Sequence, residues 1–146
     1  MATTAQAGHE PGRMYVDNDG DIHLNGAQLI NTSTPVVVKT DDYTLTAADS
    51  GKTFISQGVS KTFTLPSTAA GLTYTIIAGV ASQASGNGVS ISPQSADGLS
   101  GGVINKDIIN TQATAIIGDF CTVVGSGTAG TTAWACSKGG IWAAEG

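Results

Sequence analysis

Lys61-Thr62-Phe63-Thr64-Leu65-Pro66-Ser67 decides the reading of this chain, and Val89-Ser90-Ile91-Ser92 repeats its logic. In both stretches apolar residues alternate with hydroxyl residues, which puts Phe63 and Leu65, or Val89 and Ile91, on one face of an extended strand. Each run is strand-length, and the first ends in the turn chemistry of Pro66-Ser67. Working outward, strand-length runs recur at Val36–Val38, Tyr43–Thr46, Thr53–Ser56, Thr73–Ala78, Val103–Ile109, Ala113–Ile117, Phe120–Val124 and Thr132–Ser137. Asp49-Ser50-Gly51, Gly58, Gly71, Gly86-Asn87-Gly88, Gly98 and the stretch Gly125–Gly130 separate them, and no sustained helical stripe intervenes. The expectation is an all-β fold, an antiparallel β-sandwich or jelly-roll-like domain over residues 35–146.

Upstream, Met14-Tyr15-Val16 and Ile22-His23-Leu24 flank the acidic turn Asp17-Asn18-Asp19-Gly20-Asp21, which predicts a small β-hairpin within residues 14–34. Pro35 closes that segment. Residues 1–13, Met-Ala-Thr-Thr-Ala-Gln-Ala-Gly-His-Glu-Pro-Gly-Arg, carry no large apolar side chain after Met1 and are expected to be an extended arm with no core of its own. On that reading His9, Glu10, Pro11, Arg13 and the adjoining Tyr15 are the candidate partner-binding residues.

Composition narrows the function. Charged residues make up 12% of the 146 residues, about half the ordinary share of roughly 25%, and aromatic residues only 5%. Ser, Thr, Gly and Asn take their place, and such short side chains lose little rotamer entropy when a neighbour covers them. The formal charge is −5 with six cations scattered along the chain, so no basic stripe is available for phosphates and nucleic acid is not an expected partner. No apolar run reaches the ~20 residues of a membrane helix, and the first residues lack the cationic and apolar regions of a secretion signal. A cytosolic origin is expected, and with it free thiols at the two cysteines.

Tyr43-Thr-Leu-Thr-Ala-Ala-Asp-Ser-Gly-Lys-Thr-Phe54, Phe63-Thr-Leu-Pro-Ser67, Gly71-Leu-Thr-Tyr-Thr75 and Ile117-Gly-Asp-Phe-Cys-Thr-Val-Val124 together resemble a β-module common in bacteriophage virion proteins. The resemblance spans roughly residues 36–146. It implies a decoration (cement), spike or fibre protein, usually trimeric, with no catalytic signature and no cofactor. The expected function is a capsid decoration protein that contacts the major capsid protein as a homotrimer on the virion. The alternatives are a tail fibre, spike or baseplate component and, from another class, a carbohydrate-binding module presenting Trp134 or Trp142.

Several motifs match a chemical signature only in part. Gly98-Leu99-Ser100-Gly101-Gly102 matches a nucleophile elbow, but His9 and His23 both precede it and no helix follows, so it reads as a glycine turn. Gly125-Ser-Gly-Thr-Ala-Gly130 matches a dinucleotide fingerprint without the helix that would hold a pyrophosphate. Gly51-Lys52-Thr53 lacks the first glycine of a P-loop because Thr46 stands there. Asp17, Asp19 and Asp21 offer hard oxygens to a cation, yet Ile22 occupies the place of the EF-hand glycine and Gln28 that of the bidentate Glu. Asn31-Thr32-Ser33 forms a sequon with no secretion signal to give it meaning. Last, a hairpin pairing Gly125 with Thr132 would set Cys121 opposite Cys136 and Trp134 opposite Val123.

Overall fold

The computed structural model describes residues 14–20, 22–24, 27–30, 34–80, 88–111 and 115–145. The chain divides into two units, Met1–Thr34 and Pro35–Gly146. In the first, β1 (Met14–Val16) and β2 (Ile22–Leu24) pair antiparallel with Tyr15 opposite His23. Their turn is fixed locally: the Asp19 N–H donates to the Asp17 carboxylate (3.0 Å), and Gly20 adopts a left-handed φ of 87° while donating to the Asp17 carbonyl (3.1 Å). The expected hairpin gains a third strand, β3 (Ala27–Ile30), whose register against β2 shifts between Ile22 and His23.

The second unit is nearly all β. Its strands are β4 (Val36–Lys39), β5 (Tyr43–Thr44), β6 (Thr53–Ser56), β7 (Lys61–Thr64), β8 (Thr73–Ala78), β9 (Val89–Ser92), β10 (Asp97–Leu99), β11 (Ile108–Asn110), β12 (Phe120–Gly125), β13 (Gly130–Gly139) and β14 (Trp142–Ala144). They form a six-stranded sheet in the order β10-β13-β12-β8-β6-β4 and a five-stranded sheet in the order β14-β11-β9-β7-β5.

The expected antiparallel order is corrected here, because both sheets are mixed. From β4 to β9 the chain alternates between the sheets, and β4, β6 and β8 pair in parallel, as do β5, β7 and β9. Parallel neighbours require a crossover, and each strand of one sheet supplies the crossover for the other. The direction then reverses, with β11 antiparallel to β9 and β12 antiparallel to β8. β13 and β14 continue antiparallel to β12 and β11, while β10 lies parallel to β13 at the sheet edge.

The alternation sends one face of most strands of the second unit inward. Phe54, Tyr74, Ile76, Cys121, Val123 and Trp134 of the larger sheet meet Phe63, Val89, Ile91 and Ile108 of the smaller in one core, with the Phe54 and Phe63 rings 5.9 Å apart. Two expected strands fail in part. Of Val103–Ile109 only the end is extended, because Asn105 turns left-handed (φ 59°) and its N–H donates to the Asp97 carbonyl at 2.9 Å, leaving Val103 and Ile104 exposed. In Ala113–Ile117, whose residues 113 and 114 lie outside the described part, Ile116 and Ile117 sit in a turn. The buried Asp119 carboxylate takes the Ile116 N–H there (3.1 Å) and Gly118 is left-handed.

The β12–β13 register is also corrected. Gly125 faces Trp134, Val123 faces Cys136 and Cys121 faces Lys138, two residues away from the expected pairing. A Cβ on Gly125 would strike the Ala69 carbonyl oxygen and come within 3.3 Å of the Trp134 indole, so glycine there admits both the close backbone and the ring. β10 captures the start of β13, pairing Asp97 with Gly130 and lengthening the loop. A shift of two preserves the face, so Cys121 and Cys136 stay on the inner side as diagonal neighbours.

A short 3-10 turn, Ala47–Asp49, links β5 to β6 through one buried carboxylate. Asp49 accepts from the Thr46 amide (3.0 Å) and hydroxyl (2.9 Å) and from Lys52 Nζ (2.8 Å). Burial alone would raise its pKa, but those hydrogen bonds and the Lys52 charge outweigh it and hold the group down at about 2. A depressed carboxylate contributes stability above its unfolded value and loses it as pH falls through the folded one. Urea unfolding should therefore lose about 2 kcal/mol between roughly pH 4 and pH 2 through Asp49, and Asp49→Asn should flatten that limb. Parallel acid limbs in the two proteins would contradict the assignment.

Candidate functional site

The outer face of the larger sheet is the most distinctive surface of the second unit. Register aligns Val38, Ile55, Ile77, Phe120 and Gly139 in one row across neighbouring strands. A second row holds Val36, Thr53, Thr75, Thr122 and Ser137, and a third Thr73, Val124 and Ala135. None of these positions is charged. Rows of this kind run across the strands at ~4.8 Å per step. Thr75 and Thr122 hydroxyls bond each other at 2.9 Å, and a Cβ on Gly139 would strike the Phe120 ring, so the ring lies over that glycine. At the edge, Val36 and Val38 are 58% and 57% exposed, and Phe120 and Val124 are exposed further in. A solvated sheet face ordinarily carries polar and charged side chains, while a contiguous uncharged patch with exposed large apolar residues marks an interaction surface.

His9, Glu10, Pro11 and Arg13 lie outside the described residues. Tyr15 stacks on His23 with ring centroids 5.0 Å apart and planes 8° apart, and His23 Nε2 meets the Asp17 carboxylate at 2.9 Å. Asp17 thus serves its own hairpin, and Asp21 and the sequon Asn31-Thr32-Ser33 lie outside the described residues. Among the described residues no three His, Cys, Asp or Glu side chains converge as metal ligands. Ser100 and Gly101 form a left-handed turn, and the Ser100 hydroxyl accepts the Cys136 N–H at 2.9 Å. The loop from Gly125 to Gly130 leads into β13, and Lys52 is committed to Asp49.

Trp134 is 0% exposed and packs beside Tyr74 with ring centroids 5.9 Å apart, which removes it as a stacking platform. Trp142 is half-buried against the core, its indole N–H donating to the Gly139 carbonyl at 3.0 Å. Both cysteines are free. The Cys121 thiol hydrogen-bonds the Cys136 sulfur, an arrangement that raises the Cys121 pKa and lowers that of Cys136.

No protein-family model and no curated protein matches the sequence. Sequence reading missed the uncharged face because period-2 alternation identifies which residues of one strand point outward, not which strands lie side by side.

Proposed function

We propose that this chain is a non-enzymatic structural protein of a bacteriophage particle, a capsid decoration (cement) protein whose second unit is a β-sandwich. The uncharged outer face of the larger sheet carries this reading, together with the resemblance of residues 36–146 to virion β-modules. A face of Thr, Val, Ile and Phe can be covered without leaving a charge unpaired, and its short and β-branched side chains lose little freedom on contact. The partner is the major capsid protein, engaged by a homotrimer on the virion. Three weak contacts held by one trimer reinforce each other, so each need bind only modestly. Cross-linking neighbouring shell subunits then stabilises the assembled state through binding to it alone.

The second reading, a fibre or spike component, is favoured by the parallel stacking of β4 to β9, which leaves β4 and β5 at the sheet edges. The arm's location separates the two: on a shell it should lie across subunit junctions, whereas in a fibre it should enter the tail. A chain lacking residues 1–13 should keep its melting temperature yet lose occupancy on shells, and those shells should release genome at a lower temperature than fully decorated ones. Full occupancy without the arm would show that it contributes nothing to attachment.

A further inference from the structure

A cavity of about 310 Å3 opens at the end of the second unit where the β7–β8, β9–β10 and β12–β13 connections meet, room for roughly ten waters at ~30 Å3 each. Ser67, Thr68, Gln94, Ser95 and Asp97 supply its polar lining. Asp97 is 2% exposed, and one of its oxygens accepts the Thr68 N–H at 2.9 Å.

The walls are tied together. The Thr68 hydroxyl donates to the Ala133 carbonyl (2.8 Å) and accepts the Gly127 N–H (3.3 Å). Gln94 Nε2 donates to the Leu65 carbonyl (2.8 Å), and the Gln94 backbone carbonyl accepts the Asp97 N–H (2.8 Å). Gly127 is left-handed (φ 82°), and a Cβ there would sit 2.9 Å from the Ala70 nitrogen, so this loop fits only as glycine. A cavity braced in this way is formed before a ligand arrives, which lowers the ordering cost of binding.

Its chemistry selects the ligand class. No Lys, Arg or His lines it, so an anion finds no counter-charge. One carboxylate in so wide a space suits Ca2+ poorly, since that ion gathers 6–8 oxygens at about 2.3–2.6 Å. Hydroxyls and an amide that both donate and accept, around a carboxylate that only accepts, match a molecule rich in hydroxyl groups. We propose that this pocket binds a neutral polyhydroxyl ligand the size of one sugar ring, with the Asp97 carboxylate and the Ser67, Ser95 and Gln94 side chains as its partners. The inference does not depend on the particle reading. With no aromatic side chain in the lining, binding is weak, with a dissociation constant of about 1 mM.

The test is amide NMR of the full chain titrated separately with glucose, galactose, mannose, N-acetylglucosamine and calcium chloride. At least one sugar should give saturable shifts confined to residues 66–71, 93–99 and 125–130. Asp97→Asn should weaken that binding by about tenfold or more. Ser95→Trp, a change at an exposed position that fills the mouth, should abolish it while leaving the remaining spectrum unchanged, and it carries the test if the Asp97 variant does not fold. Absence of saturable shifts with every sugar, saturation by calcium alone, or undiminished binding by Ser95→Trp would overturn the proposal.

Discussion

Trp134→Ala is expected to cost about 4 kcal/mol of folding stability. The side chain is wholly buried, lies against Tyr74, and occupies the space that Gly125 leaves open on the facing strand. It also sits where β10 meets β13, so its loss leaves a cavity at a junction of strands as well as removing apolar area. For a domain of this size the melting temperature should fall by about 15 °C or more. The indole nitrogen is buried without a hydrogen-bond partner, so Trp134→Phe removes an unsatisfied donor along with some volume and should lose much less than the alanine variant. Chemical denaturation followed by circular dichroism checks both. A loss of less than about 1 kcal/mol in Trp134→Ala would mean that the indole is not a core anchor.

Ile77→Lys is expected to abolish particle binding without unfolding the protein. Ile77 lies in the middle of the uncharged row, between Ile55 and Phe120, and points away from the core that Ile76 and Ala78 enter. In the free protein a lysine stem can lie along the row with its ammonium in water. In a closed interface the same ammonium would be buried without a partner, a penalty of several kcal/mol that corresponds to about 100-fold weaker binding or more. Ala48→Lys adds the same charge at an exposed position in the 3-10 turn, off this face, and should bind as the unaltered protein does. Sedimentation of shells with either variant gives the answer. Equal binding by Ile77→Lys would place the interface elsewhere.

Much of the fold was legible because burial imposes a period of two. Thr53–Ser56, Thr73–Ala78 and Val89–Ser92 form strands over the lengths their alternation predicts. Apolar pairs without that constraint misled: Val103-Ile104 and Ile116-Ile117 have strand-like composition, yet a left-handed Asn105 and the Asp119 carboxylate turn the chain at those points. Gly98 has the composition of turn punctuation but lies within β10, where a Cβ would come 2.9 Å from the Thr131 Cα, so the glycine permits a close strand contact.

Strand direction and neighbours were not legible, since a strand buries the same face whether its neighbour runs parallel or antiparallel. That gap hid the candidate site. Val38, Ile55, Ile77 and Phe120 are far apart in sequence and become one row only through register. The Asp97 pocket was hidden for a related reason, being assembled from three connections that each read as ordinary turns.

On the reading proposed above, this chain decorates the outside of a phage shell. Its most direct test is electron cryomicroscopy of phage shells lacking this protein that have been incubated with the purified chain. Density of one domain per chain is expected at regular positions on the shell, grouped in threes, bridging neighbouring shell subunits and meeting them through the outer face of the larger sheet. Bare shells at saturating protein, or density confined to the tail, would contradict it.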